Sequence, residues 1–174
     1  MLTFFIFSII YTTITIGIIV YKKDVKLKLS TRSRYGIRLL FELALDYGNN
    51  NFLFLKDISE KQQISEKYLS SIIIPLKNSK LVLSSRGAHG GYMLARDPES
   101  INIKEVIDIL EGTPLTIECI ENSDFCKRAN ICPSQKLWEE LENVIVTFLK
   151  SKTIKDLINN YNLLQNKNTN MYYI

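Results

Sequence analysis

Histidine is nearly absent: one, His89, stands among 174 residues. No Ser/His pair and no paired carboxylates can be placed in one pocket, which sets an enzymatic function aside. Cysteine is scarce as well. The three thiols, Cys119, Cys126 and Cys132, fall within fourteen residues of one another. An odd number of thiols, in a chain without a secretory cleavage site, argues against a disulfide framework. Three evident ligands also fall short of the four N/S donors that structural zinc normally takes. Clustered thiols in a reducing compartment more often bind metal or sense redox state. Internal repeats are lacking too.

Charge, by contrast, is present but unevenly spread. The net formal charge is +4. Residues 27–96 carry eleven Lys/Arg against five Asp/Glu, whereas residues 97–174 carry eight against twelve. The first half therefore suits contact with phosphates, and the second half a different role.

Residues 2–20 are uncharged and mostly apolar, and Lys22 and Lys23 follow. One reading is a marginal transmembrane helix with its C-terminal side in the cytoplasm. The other is a mis-assigned start. A chain beginning at Val25 or Leu27 would open directly on the folded domain, and both residue types can arise from alternative bacterial start codons. The second reading is favoured. Residues 1–26 are thus expected to be an apolar extension of a cytoplasmic protein, with an inner-membrane anchor as the alternative.

The stretch 55–95 organises the rest. Ile58 belongs to a first short helix, Ile64 falls in a turn, and Ser65 can cap a second helix. In that second helix Leu69, Ile72, Ile73 and Leu76 recur at core-facing spacing. Glu66, Lys67, Ser70, Ser71 and Lys77 are left on the opposite face. Residues 81–83 and 92–95 then read as strands around Arg86-Gly87-Ala88-His89-Gly90-Gly91, where glycine permits positive φ and close backbone approach. Helix, turn, helix and a glycine-rich hairpin tipped by arginine make a winged helix-turn-helix, which places its second helix in the DNA major groove. The predicted fold is mostly α with a small β wing, a winged helix-turn-helix DNA-binding region at 27–98.

Before this unit, Ser30 or Thr31 can cap a helix over residues 33–49, with Ile37, Leu40, Phe41, Ala44 and Leu45 as its apolar stripe. Residues 52–54 read as a short extended piece. After the wing, Asn102 precedes a helix over 103–111 with Val106, Ile107 and Leu110 inward, and Gly112 stops it. The predicted 99–132 region is this linker helix and the cysteine loop. Pro133 can open a helix of about eighteen residues, on which Leu137, Trp138, Leu141, Val144, Ile145 and Phe148 form an apolar stripe. Helix-turn-helix proteins usually bind paired half-sites as dimers, so this stripe is expected to pair two copies. The predicted 133–164 region is this dimerisation helix plus a final helix, and 165–174 a loose tail.

Within the winged unit, Arg86 is the strongest candidate for a DNA contact, because a guanidinium fits a narrow A·T-rich minor groove. Gly87 and His89 accompany it on the wing. Lys67 and Ser70, with Ser65 and Ser71, stand where base edges are reached. Tyr68 can bond a phosphate or pack. Lys28, Arg32 and Arg34 suit backbone phosphates, which position without specifying sequence.

Over residues 27–164 the chain resembles the IscR/NsrR/CymR-type (Rrf family) winged-helix regulators. The resemblance is carried by Lys28-Leu29-Ser30-Thr31-Arg32-Ser33-Arg34-Tyr35-Gly36, Ile64-Ser65-Glu66-Lys67-Tyr68-Leu69 and Arg86-Gly87-Ala88-His89-Gly90-Gly91-Tyr92. It implies a homodimeric transcriptional regulator that binds double-stranded operator DNA. In the cluster-binding branch, three cysteines before the dimer helix hold an iron–sulfur cluster, and Cys119, Cys126 and Cys132 resemble that set with C-x6-C-x5-C spacing. The implied cofactor is a 2Fe–2S or 4Fe–4S cluster. Its fourth ligand is unassigned: the histidine of IscR-like members is replaced by Gln135, and the aspartate of NsrR-like members by Arg34. Glu118, Glu121, Asp124, a residue of the partner subunit or an external ligand can fill the place. Ser70 stands where several IscR-like proteins carry a glutamate that tunes site choice. The C-terminal aromatic pair and Ile174 instead resemble the CymR-like branch, which implies the alternative: a cluster-free repressor under a thiol switch or a protein partner.

Overall fold

The computed structural model describes residues 29–87, 90–112, 126–128 and 131–170, without the side chains of 168–170. Its first helix, α1 (Thr31–Leu45), starts because Ser30 is extended (φ −65°, ψ 159°) and its Oγ accepts from the Ser33 backbone N–H at 3.2 Å. The buried face of α1 is Ser33, Gly36, Leu39, Leu40, Glu42, Leu43 and Ala44. This corrects the predicted stripe: Leu40 and Ala44 are buried, Ile37 and Phe41 are half-buried, and Leu45 is exposed. The side turned inward includes a glycine and a serine because neighbouring helices approach closely there. A Cβ on Gly36 would lie 2.2 Å from Leu110 Cδ1 and 3.4 Å from Ile72 Cγ2.

Helices α2 (Leu55–Gln62) and α3 (Glu66–Asn78) follow. Both end in the same way. At the end of α2, Gln63 is left-handed (φ 52°), its N–H reaches Glu60 O, and the Ile64 N–H returns to Ser59 O at 3.1 Å. At the end of α3, Lys80 is left-handed (φ 61°), its N–H bonds Lys77 O, and the Leu81 N–H returns to Leu76 O at 3.0 Å. Each is a Schellman ending that satisfies terminal carbonyls and turns the next apolar residue inward. Ile64 and Leu81 are accordingly buried. Arg38 and Glu42 of α1 brace the first turn. Arg38 donates to Gln62 through Nε at 2.6 Å and through Nη2 to the backbone carbonyl. Gln62 donates to the buried Glu42, which also has Lys61 3.9 Å away. Burying a carboxylate is costly unless it is hydrogen-bonded, and here it is.

Leu81 is used in ending α3, so the hairpin is offset from the predicted strands. β1 (Val82–Ser85) pairs antiparallel with β2 (Gly91–Leu94) in the register Val82–Leu94 to Ser85–Gly91. Residues 52–54 run extended as expected, and Leu53 bridges Tyr92 through two 2.9 Å hydrogen bonds. Gly91 is required there: φ is +145°, and a Cβ would meet Leu53 O at 2.6 Å. Asp97 then caps a 3-10 turn, Pro98–Ser100.

Helix α4 (Ile103–Glu111) matches expectation closely. Asn102 caps it, Val106, Ile107 and Leu110 are buried, and Gly112 ends it with φ 81°. Glu111 accepts from the Ser30 hydroxyl, joining the end of α4 to the start of α1. Burial opposes ionisation of this carboxyl, but the hydrogen bond from Ser30, with Ser33 close by, outweighs it and holds it below the usual carboxylate range. Helix α5 (Gln135–Lys150) begins two residues after Pro133, which sits in a turn instead of the first helical position. Helix α6 (Ile154–Asn170) is longer than predicted and runs through the first part of the expected tail. It starts on a reciprocal cap between Thr153 and Asp156 and is pinned to α4 by the Asn102–Thr153 bridge.

The core lies where α1 meets α2, α3, α4, α6 and β2. With six helices and one two-stranded hairpin among the described residues, the fold is the mostly α winged helix that the sequence predicts. No helix among the described residues is long and apolar enough to cross a membrane, and residues 1–28 lie outside that set.

A left-handed lysine costs more than a left-handed glycine, because only glycine escapes the Cβ–carbonyl clash. Lys80→Gly should therefore raise the urea midpoint, by a stability of about 1 kcal/mol. An unchanged or lower midpoint contradicts the assigned α3 ending.

Candidate nucleic-acid interface and cysteine site

Helix α3 is anchored from within. Leu69, Ile72, Ile73 and Leu76 are all buried, so the other face is turned to solvent. At its start Ser65 Oγ accepts from the Tyr68 N–H at 3.2 Å. Lys67 and Ser71 are exposed and Ser70 is half-buried, one behind another along the outer face. Both serine hydroxyls currently bond their own helix: Ser70 donates to Glu66 O at 2.9 Å and Ser71 to Tyr68 O at 2.7 Å. Tyr68 is half-buried and packs edge-on against Tyr35, with ring centroids 5.8 Å apart. Its ring therefore has a packing role, whatever its hydroxyl does.

The wing stands beside α3. Arg86 and Gly87 are exposed, and Gly87 takes φ +101°. The Gly90 N–H closes the tip onto Gly87 O at 2.9 Å. One groove joins the elements: Phe54 to Asp57 at the start of α2, Glu66 and Ser70 on α3, and Ser85, Gly87 and Gly90 to Tyr92 on the wing. A second depression at the start of α3 is lined by Thr31, Tyr35, Gln63, Ile64, Ser65 and Tyr68. Exposed Arg34 reaches into its rim and donates to Thr31 Oγ1 at 3.2 Å, and Arg32 is exposed on the same turn. The structure thus brings Ser70 and the wing to one groove and Ser65 and Tyr68 to the other, with Arg32 and Arg34 exposed on the α1 turn that carries Thr31. Lys28 and His89 lie outside the described residues.

Three participants escaped the sequence reading. Tyr35 follows Thr31 by one helical turn and so shares its face, a spacing that could have flagged it. Lys56 and Asp57 come to the groove only through tertiary packing and had no local signal.

Cys126 and Cys132 are free, half-buried thiols shortly before α5. Cys132 Sγ is 3.3 Å from Ser134 Oγ. That hydroxyl, then the Ser134 backbone, with smaller help from Gln135 and Arg128, holds the Cys132 thiol below its ordinary range. Cys119, Glu118, Glu121 and Asp124 lie outside the described residues, and among the described residues no group of three His, Cys, Asp or Glu converges on a metal position. Gln135 is the first residue of α5, and Arg34 sits on α1 with its guanidinium on Thr31.

Helix α5 has no buried residue, although it is rich in apolar side chains. Leu137 (56%), Leu141 (46%), Val144 (66%) and Phe148 (58%) are exposed, Trp138 is also exposed, and Ile145 is half-buried. A contiguous apolar face of this kind marks an interaction surface.

The architecture and these surfaces define a winged helix-turn-helix protein. The family model described as Rrf2, iron-dependent transcriptional regulator, matches residues 29–160, and the chain belongs to this Rrf2 family of DNA-binding transcriptional regulators, which are not enzymes. It is 36% identical over 137 residues to protein rrf2 of Nitratidesulfovibrio vulgaris, covering 79% of this chain and 91% of that one. It is 36% identical to the HTH-type transcriptional regulator CymR of Bacillus subtilis, covering 75% and 89%. Identity to IscR of Yersinia pseudotuberculosis is 32%, covering 80% and 84%. Among solved structures, CymR, the global cysteine regulator of B. subtilis, superposes with a TM-score of 0.63 at 36% identity, over 75% of this chain and 95% of that one. T. potens IscR does so with a TM-score of 0.64 at 34% identity, over 78% and 89%.

The Ser134 contact makes a prediction about pH. A lowered thiol pKa means a larger thiolate fraction at a given pH. In metal-free protein, Ser134→Ala should move the midpoint of the Cys132 alkylation rate to higher pH, read site by site by mass spectrometry. An unmoved midpoint contradicts the contact.

Proposed function

We propose that two copies of this chain pair through the apolar face of α5, read two operator half-sites with α3 and the wing, and take their signal through Cys119, Cys126 and Cys132. The observation that carries this reading is the position of α5. It is an exposed apolar helix entered directly from the cysteine-bearing stretch. It packs on α4, and α4 in turn packs on both α1 and α3. A change at the cysteines would therefore reach both the pairing surface and the support of the reading helix.

In this reading the basic first half provides affinity, Arg86 enters the minor groove, and Lys67, Ser65, Ser70 and Ser71 face base edges. Ser70 and Ser71 must release the carbonyls of Glu66 and Tyr68 to donate to a base. Arg32, Arg34, Lys28 and Tyr68 fix the register on phosphates, and Gly87 and His89 shape the wing tip. Leu137, Trp138, Leu141, Val144, Ile145 and Phe148 form the pairing seam. Regions 27–98, 99–132 and 133–164 then act as reader, sensor and pairing arm.

The donor set fits an iron–sulfur cluster. Thiolates are the soft ligands such clusters take, and the hydrogen-bonded Cys132 is already biased toward thiolate. Cys119, Cys126 and Cys132 would hold it, with a carboxylate, a partner residue or an external ligand as the fourth. Bound there, a 2Fe–2S or 4Fe–4S group supplies a centre responsive to iron supply, oxygen or nitric oxide. Membership of a family of iron-dependent regulators is consistent with this. A second reading is cluster-free control by a thiol switch or protein partner. Its support is the lowered pKa of Cys132 and the similarity to CymR, a cysteine regulator.

Two variants test the proposal. Protein purified without oxygen should show visible absorbance with iron and sulfide, and Cys126→Ala should lose all three; retained colour and iron in the variant would sink the cluster assignment. Arg86→Ala should weaken specific duplex binding by about 1–3 kcal/mol, as for one good base contact. Unchanged affinity in a gel-shift titration removes the wing from the reading surface.

A further inference from the structure

The outer face of α3 carries one residue out of keeping with the rest. Ile74 is 55% exposed, one turn beyond Ser70 and Ser71. Lys67, Ser70, Ser71 and Ile74 stand at spacings of three, one and three, a single stripe opposite the buried Leu69, Ile72, Ile73 and Leu76. The stripe rises ~10 Å from Lys67 to Ile74, about three base-pair steps. Resting on the DNA-reading role proposed for α3, we infer that Ile74 is a specificity residue that reads a thymine through its C5-methyl group.

The surroundings select this occupant. The four positions one turn away on α3 are Ser70, Ser71, Lys77 and Asn78, all polar, so Ile74 is not part of an apolar stripe on this helix. The surface it interrupts is continuous with the groove that joins α3 to the wing. The apolar group that the major groove offers to such a side chain is the thymine methyl, and an aliphatic residue cannot exploit the hydrogen-bonding edges of the other bases. Ile74 therefore adds a shape-and-methyl contact to the polar contacts of Lys67, Ser70 and Ser71. Removal of a single methyl from its partner should be felt, and removal of methyls elsewhere in the site should not pass through it.

The test starts from duplexes enriched out of a randomised library by the full-length, anaerobically purified protein. In the enriched duplex each thymine is replaced in turn by deoxyuridine, which deletes the methyl group and leaves the pairing edge intact. At one position per half-site the substitution should lower wild-type affinity, by about fourfold for one buried methyl. Ile74→Ala should be indifferent to that substitution while keeping the wild-type response to deoxyuridine elsewhere. Ile74→Val, which keeps the β-branch and loses one methylene, should retain part of the discrimination. A deoxyuridine profile identical in wild type and both variants overturns the assignment and leaves the side chain for a protein contact. Failure to enrich any sequence overturns the underlying DNA-reading proposal instead, so the two failures are distinct.

Discussion

The fold depends on the place where three helices meet at a residue with no side chain. Gly36 of α1 faces Leu110 of α4 and Ile72 of α3, and any Cβ there would drive into Leu110. The close approach is to Leu110 of α4, while Ile72 of α3 stands at ordinary contact distance. Close packing of this kind has little tolerance for added volume. The last residue of α4, Glu111, is bonded to Ser30 at the start of α1, so the end of α4 lies beside the turn that carries Arg32 and Arg34.

Charge and hydrophobicity are sorted along the sequence to match. The positive balance lies in residues 27–96, and the negative balance in the part that carries α4, α5 and α6. Long-range attraction would orient a polyanion toward the winged half. Within that half the proposed reading surface is not uniformly positive, because Asp57 and Glu66 also line the groove. In that role such carboxylates would repel phosphates and discourage indiscriminate binding, adding selectivity to whatever affinity the lysines and arginines supply.

How much was legible follows from where each element's information is stored. Helix α3 could be read because its core residues are large and recur at helical spacing. Helix α4 could be read because Asn102 and Gly112 mark both ends. Helix α1 was read in part: Leu40 and Ala44 are buried and Ile37 and Phe41 half-buried, but Leu45 is exposed. Its closest contacts use Ser33 and Gly36, which carry no hydrophobic signal, and it buries Glu42, whose partners Gln62 and Lys61 lie twenty residues along the chain. The strand boundaries slipped because Leu81, apolar like its neighbours, belongs to the end of α3. The length of α6 was underestimated because its last turns are rich in Asn, a residue that suggests loops. At the candidate site, the outer face of α3 and the apolar face of α5 were visible as patterns, and Tyr35 could have been read from its spacing to Thr31, whereas Lys56 and Asp57 reach the groove only through packing of separate segments. For the cysteine cluster the spacing was legible, but Cys119 lies outside the described residues, so its geometry adds nothing to the donor count.

The central claim is that the state of the three cysteines sets the strength of DNA reading by α3 and the wing. The most direct measurement is the equilibrium affinity of anaerobically purified protein for an enriched duplex, by fluorescence anisotropy at one fixed salt concentration, before and after iron is stripped with a chelator. Allosteric couplings typically change affinity by about 5–150-fold. A shift in that range, with the dimer intact in both states, is the predicted result. Equal affinities for iron-loaded and iron-free protein would contradict the claim and leave a DNA-binding dimer whose signal enters elsewhere.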